Sequence, residues 1–439
     1  MNILVIGNGF DLAHGLPTKY TDFLFFCGSV KKLIKHSGIA DKIPKNYKSL
    51  CYFEWINKDE KISFLNTKLY NATYKTYLHF KKYEVSYVDE KVYEKMLDKF
   101  IKKCFFEQGI DKKLVKEIIF LVYDNFWIEY FLRCNMHGDK NWIDFELEIS
   151  NVIKSLDNNM HGLDYNYDIF DKIDNLPNTF LDQYFIRKKN QKVTYKVIRD
   201  RLEIDLNKLI RVFEIYLTEY VEKIEPISQG FNLDEFNVNK VLSFNYTDTY
   251  EKVYDITNVI EYDYTHGKAD SRNTMDSNNM VIGINEYLSE DRINKDVEFV
   301  AFKKYYQRIH KQTGCKYKDW MDQIKEEWEN ETEEIRAEIR TCISKGNSNN
   351  PKIHRLYILG HSLDVTDKDI LCDLILNDNV YTTIYYQNKE ELGRKIANLV
   401  KVIGQDELIR RTGGSTKTIN FVAQKDIEVE IEGLIFNLF

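Results

Sequence analysis

The sequence predicts an α/β fold: a doubly wound, mainly parallel sheet interrupted by a large helical insertion. Three observations lead there. An unbroken β-branched and leucine run, Ile3 to Ile6, stops at Gly7, as in a strand buried on both faces of a parallel sheet. Similar runs recur at Lys240 to Phe244, Val259 to Tyr264, Met280 to Ile284, Arg355 to Leu359 and Thr382 to Tyr386. Helical patterns separate the later runs, and strands alternating with helices indicate a doubly wound sheet.

The elements follow in chain order. After the first strand and its glycine turn, residues 20–236 show helical periodicity and almost no strand-like alternation. Leu202, Leu206, Leu209, Phe213, Tyr216 and Tyr220 step by four and three, which places them on one helix face. A second helix runs from Phe145 through Ile149 and Ile153. The reading is therefore a Rossmann-like nucleotide-binding domain from residues 1–19 and 237–439, with a helical segment at about 286–350, and a helical insertion domain from residues 20–236. The glutamates and arginines of Lys325 to Arg340 read as a solvated helix face. Polar, breaker-rich stretches at Lys268 to Asn279, Ser344 to Pro351 and Arg411 to Lys417 read as surface loops.

Composition bounds the function. The 439 residues are 43% hydrophobic and 30% charged, as in folded proteins and unlike disordered chains. Only 5 prolines against 30 tyrosines and 26 phenylalanines favour long helices with aromatic cores. A net charge of −7 provides no global positive field, which disfavours nucleic acid as a partner. The 7 cysteines are scattered singly with no zinc spacing, so no metal is expected and the reducing cytoplasm is the expected compartment. No signal peptide or membrane span is read, because the most apolar later stretch, Ile118 to Leu132, is broken by Asp124, Asn125 and Glu129.

The chemistry-bearing motifs sit at strand ends. GNGFDLAHGLP, Gly7 to Pro17, follows the first strand directly, and its glycines at 7 and 9 permit a tight turn and a close backbone approach to a diphosphate. A GxGxxG fingerprint would need glycine at 12, which is Leu12. SFNYTD, Ser243 to Asp248, places Asn245 after a later strand, as a turn residue or as an amide holding a ribose or a water. YTHGK places His266 and Gly267 at another strand end, suited to general-base work. LGHSLDVTD, Leu359 to Asp367, adds Gly360 and Ser362 before a helix capped by Thr366 or Asp367. The run Thr382 to Tyr386 ends in Gln387 and Asn388. Small or hydrogen-bonding residues at all these ends favour a nucleotide site, because open α/β sheets bind ligands at the carboxyl ends of their strands.

In order, these motifs resemble the sirtuin pattern. Gly7, Gly9, Gly15 and Pro17 match the spacing of the sirtuin GAGxSxxxGIP turn, and Gly360, Ser362, Leu363 and Val365 match GTSLxV. The resemblance implies an NAD pocket. By it, Gly7, Asn8, Gly9, Phe10, Asp11 and Ser362 hold diphosphate and riboses, with Gly15, Pro17 and Gly267 completing the turns. Asn388 touches the adenosine side, Asn245 faces the nicotinamide ribose and His266 is the base. Asp11 stands where sirtuins have serine, Tyr20 replaces an arginine, Thr247 replaces an aspartate and no zinc module exists, which argues against protein deacylation.

LVIGNGFDLAHGLPTKYTDFL, with NWIDFE (Asn141 to Glu146), SFNYTD and LGHSLDVTD, closely resembles the AbiH family of bacterial abortive-infection proteins. That resemblance implies anti-phage defence by growth arrest or death of the infected cell. In NWIDFE, Asp144 and Glu146 are either a helix cap and a solvated first-turn acid or additional site acids. The leading expectation is an NAD glycohydrolase with His266 as base and Asn245 positioning the reactants. Departure of nicotinamide builds oxocarbenium-like charge that needs a placed water and a base more than a metal. A non-catalytic nucleotide sensor and a nuclease-type toxin are the alternatives. A nucleotide ligand and a phage-derived trigger are the expected partners, with no membrane, and a homo-oligomer is left open.

Overall fold

A computed structural model of the chain describes residues 1–36, 112–137, 144–160, 195–223, 226, 233–255, 259–341, 353–414 and 417–424. Six strands form one sheet: β1 (Asn2–Ile6), β2 (Lys240–Ser243), β3 (Glu261–Tyr264), β4 (His354–Leu359), β5 (Val380–Tyr386) and β6 (Ile419–Ala423). Every pairing is parallel and the order is β3-β2-β1-β4-β5-β6, the Rossmann order of a doubly wound sheet. Central β1 is buried from Ile3 to Ile6, which explains its unbroken apolar run. Edge strand β3 (EYDY) is only partly buried and carries polar side chains.

The predicted strands agree to within a few residues except one. Met280 to Ile284 forms no strand of the sheet and makes only an isolated bridge, Ile284 to Lys303. Met280, Ile282 and Ile284 are buried in the core of the helices, while Val281 N–H donates to the His266 carbonyl and Ile282 N–H to Gln307 Oε1. Apolar side chains there signal burial; the hydrogen-bond partners are a turn and a glutamine rather than a neighbouring strand. β6 went unread in the sequence because Asn420 interrupts a short apolar run and only Ile419 is fully buried. The expected loop at Arg411 to Lys417 is corrected at its start, since Arg411 lies in the helix Gln405–Thr412 and is buried. Ser344 to Pro351 lies outside the described residues.

The helix Tyr195–Glu219 carries the stripe read from Leu202 to Phe213 and Tyr216, all buried. It packs with the helices Tyr20–His36, Lys112–Val122, Phe126–His137 and Phe145–Met160. That apolar cluster also takes in Leu16, Met280, Ile282, Phe299 and Phe302, so the helices share one core with segments flanking the sheet. Tyr20, Phe145 and Phe131 stack in a row with centroid separations of 4.1 Å at both steps.

Where β1 and β4 end, their loops press together. Gly9 N–H donates to the Gly360 carbonyl at 2.8 Å, and Gly360 has φ of +70°. A Cβ on Gly360 would lie 2.2 Å from Phe10 N, and one on Gly9 would lie 2.8 Å from the Gly360 oxygen. Both glycines are thus required by the apposition of two loops. Gly360→Ala should destabilise the fold by more than the ~1–3 kcal/mol of a strained φ alone, because the methyl also meets backbone; urea denaturation checks this.

Candidate functional site

The order reverses between β1 and β4, and in such sheets the crevice at that switch point is the ligand site. Here it is a cleft of about 960 Å³, at the upper end of ordinary ligand pockets. Its lining includes Gly7, Asn8, Gly9 and Asp11 after β1, Asn245 after β2, His266 after β3, Gly360 and Ser362 after β4, and Asn388 after β5. Asp144 and Glu146 reach it from the helical side. The strand-end motifs therefore converge, because a parallel sheet delivers all its carboxyl ends to one rim.

Other expected site residues lie elsewhere or are already engaged. Phe10 is buried in the apolar core beside Leu4, Ile6 and Tyr250, and Gly15, Pro17 and Gly267 are absent from the lining. The Pro17 carbonyl accepts from Tyr216 O–H at 2.8 Å. Gly267, with φ of +83°, turns the chain hard against Asn279. Asn388 caps the helix Lys389–Ile403, its Oδ1 accepting from Glu391 N–H. The N–H groups of Gly7, Gly9 and Phe10 donate to Leu359, Gly360 and Gly7 carbonyls, so the turn satisfies much of itself.

Part of the cleft wall is a buried charge cluster. Asp367 Oδ1 accepts from His266 Nε2 at 3.0 Å and from Lys304 Nζ at 2.9 Å, and its Oδ2 faces His361 Nε2 at 3.5 Å. Lys304 Nζ also pairs with Glu146 Oε2 at 2.8 Å. Phe244 lies against both imidazoles, with centroids 5.3 Å from His266 and 4.2 Å from His361. The expected capping role of Asp367 is not what its side chain does: Asp364 accepts from Thr366 N–H at that turn, leaving Asp367 free to enter the cluster. Asp144 does cap, accepting from the N–H groups of Glu146 and Leu147, whereas the Glu146 side chain, 12% exposed, turns to Lys304 in the cleft lining rather than to solvent. Asn141 to Ile143 of that motif lie outside the described residues.

Electrostatics follow from burial and pairing. Burial opposes the charge on Asp367, but Lys304 and the imidazoles outweigh it and hold its pKa well below the usual carboxylate range. Burial also opposes the Lys304 charge, yet Asp367 and Glu146 raise its pKa. One ammonium serves two carboxylates, and Glu146 is the less favoured: burial pushes it up to about 7 against the pull of Lys304. The His266 pKa is lowered, first by burial and then by Lys304. With ionised Asp367 able only to accept, neutral His266 carries its proton on Nε2, and Nδ1 is left as an acceptor. His361 Nδ1 accepts from Leu363 N–H, which leaves its Nε2–H to face Asp367.

Sequence reasoning missed His361, Lys304 and the part played by Asp367. His361 carried a signal, a histidine beside a strand-end glycine like His266 beside Gly267. Lys304 carried none, since nothing local separates it from a solvated lysine.

The family model for Bacteriophage abortive infection AbiH matches residues 3–386. The chain belongs to the AbiH family. Its role thus lies in bacteriophage abortive infection. No curated protein and no solved structure matches it. The span characteristic of AbiH runs from β1 to the last residue of β5 and so contains the whole cluster around Asp367. No helix among the described residues of this AbiH protein is long and apolar enough to cross a membrane.

Asp11 gives a stability prediction. Burial raises its pKa from 3.8 to about 6, opposed by hydrogen bonds led by that from Thr247. The folded state therefore binds more protons than the unfolded state between those values, and stability falls as pH rises through the window. Relative to Asp11→Asn, the wild type should lose roughly 2 kcal/mol between pH 4 and pH 6, of about 3 kcal/mol over the whole titration, and change little above pH 7. Denaturation of both proteins across that range is the check, and parallel curves would contradict the assignment.

Proposed function

We propose that this AbiH protein binds NAD in the switch-point cleft and hydrolyses its nicotinamide–ribose bond, arresting infected cells by removing the cofactor. The observation that carries the reading is the neutral imidazole of His266, held by Asp367 at the carboxyl rim of a Rossmann-order sheet. The sirtuin-like spacing of Gly7, Gly9 and Gly360 supports NAD as the nucleotide, since these residues border the cleft.

The chemistry asks for little beyond these groups. The C1′–N bond breaks, nicotinamide leaves neutral with the bonding pair, and water attacks the cationic ribose carbon. His266 Nδ1 takes the proton of that water, and Asp367 stabilises the imidazolium that forms. Asn245 places the ribose or the water. Glu146, held near its half-ionised point at neutral pH, is a second group able to relay that proton.

Charge balance supports a small nucleotide over a polyanion. Asp11, Asp144, Glu146, Asp364, Asp367 and Glu391 line the cleft against Lys19, Lys304, Arg394 and Lys395, and Lys304 is already shared by two carboxylates. A nucleic-acid backbone would meet net negative charge there.

Purified protein incubated with NAD, with and without phage lysate, should release free nicotinamide. His266→Ala should retain NAD affinity within a few-fold and lose turnover by on the order of 10²–10⁴. Asn245→Ala should lose turnover as well through misplacement. Infected cells carrying either variant should keep their NAD and escape arrest. Binding without nicotinamide release under every condition would replace the enzyme with a nucleotide sensor.

A further inference from the structure

Asp367 is shared between two imidazoles, and only one of them, His266, takes a proton in the proposed reaction. The other, His361, is buried and borders the cleft. Its Nδ1 accepts from Leu363 N–H at 3.0 Å, and its Nε2 faces Asp367 Oδ2 at 3.5 Å. Leu363 makes that bond from a left-handed backbone, with φ of +58°, which residues other than glycine seldom adopt. It holds the conformation while fully buried in one apolar cluster with Ile358, Ile370 and Ile384. Phe244 packs on the His361 ring, with centroids 4.2 Å apart. A backbone N–H and an aromatic contact thus fix the direction of one imidazole N–H.

We propose that His361 is a positioning residue: its Nε2–H holds Asp367 Oδ2 so that Oδ1 stays aimed at His266, and the base thereby keeps Nδ1 turned to the attacking water. The inference rests on the NAD reading above and adds to it a residue that acts only through Asp367. A carboxylate turns easily about its last bond, so contacts at one oxygen alone leave the plane of the group free to swing. His266 and Lys304 both bond Oδ1, at 3.0 and 2.9 Å, and His361 faces Oδ2. Lys304 supplies no equivalent restraint, because it shares its oxygen with His266 and also pairs with Glu146. Histidine suits this task because its second nitrogen is tied. With Nδ1 accepting from Leu363, the neutral ring carries its one proton on Nε2. A ring not tied in this way can offer Asp367 a lone pair instead of a proton.

Two variants and one spectrum test this. His361→Phe keeps a ring against Phe244 but has no N–H, whereas His361→Gln keeps an amide donor. With NAD as substrate, His361→Phe should bind within a few-fold of wild type and release nicotinamide on the order of 10²-fold more slowly, the scale of a ~1 Å misplacement. His361→Gln should recover most of that rate. A loss that falls on KM with kcat unchanged, a His361→Phe rate equal to wild type, or a His361→Gln rate as low as that of His361→Phe overturns the positioning role while leaving the NAD reading intact. Nitrogen-15 spectra of the wild-type imidazoles need no variant to fold. His361, recognised by coupling of its Nδ1 to the Leu363 amide, should be neutral at pH 7 with its proton on Nε2. A proton on Nδ1, or absence of that coupling, overturns the role. Wild-type protein that releases no nicotinamide with phage lysate present overturns the NAD reading itself, and the positioning role with it.

Discussion

Asp367 is a carboxylate taken almost wholly out of water, and that cost is met by donors from two distant stretches of chain and one nearby loop. His266 arrives from the end of β3, Lys304 from the helix Lys304–Lys311, and His361 from the loop after β4. Lys304 then extends the cluster to Glu146 on the helix Phe145–Met160. Buried charges are tolerated only when paired and hydrogen-bonded, and removal of one partner leaves the others stranded at a cost of about 3–5 kcal/mol. The cluster thus holds the helices, the segment after β3 and the rim of the sheet in one arrangement. Few buried ion pairs add stability over apolar packing, so the cluster fixes an arrangement more than it adds to stability.

The sheet order makes that arrangement reachable. With β1 at the centre, the chain runs outward one way through β2 and β3 and the other way through β4 to β6. The connections on either side diverge at β1 and β4, and a cleft opens where they part. Gly9 and Gly360, in close contact, line it from the sheet, and Tyr20 and Glu146 line it from two helices. Glycine is needed at that contact because two backbones meet there, a requirement of packing that stands whether or not a phosphate ever approaches them.

One ammonium between two carboxylates also distributes protons unequally. Asp367, with two imidazoles besides Lys304, keeps its charge, and Glu146 is left holding a proton more readily. His266 stays neutral because it is buried beside a lysine that already balances Asp367.

The sequence by itself determined five of the six strands and the rim they form. Strand runs such as Ile3 to Ile6 are legible because burial on both faces demands continuous apolar residues; Gly7, Asn245 and Gly360 are legible because each follows such a run, and His266 because it follows the shorter, more polar edge strand β3. The family motifs were legible for the same reason, being local strings. Met280 to Ile284 misled because hydrophobicity reports burial and is silent on which backbone a segment bonds. Tertiary structure alone decided that Asp367 leaves helix capping for the cluster, that Glu146 faces the cleft, and that Lys304 and His361 join them. These are long-range electrostatic facts: Lys304 is 158 residues from Glu146 and 63 from Asp367 along the chain, and a charge's partner is fixed by folded distance, which no local spacing records.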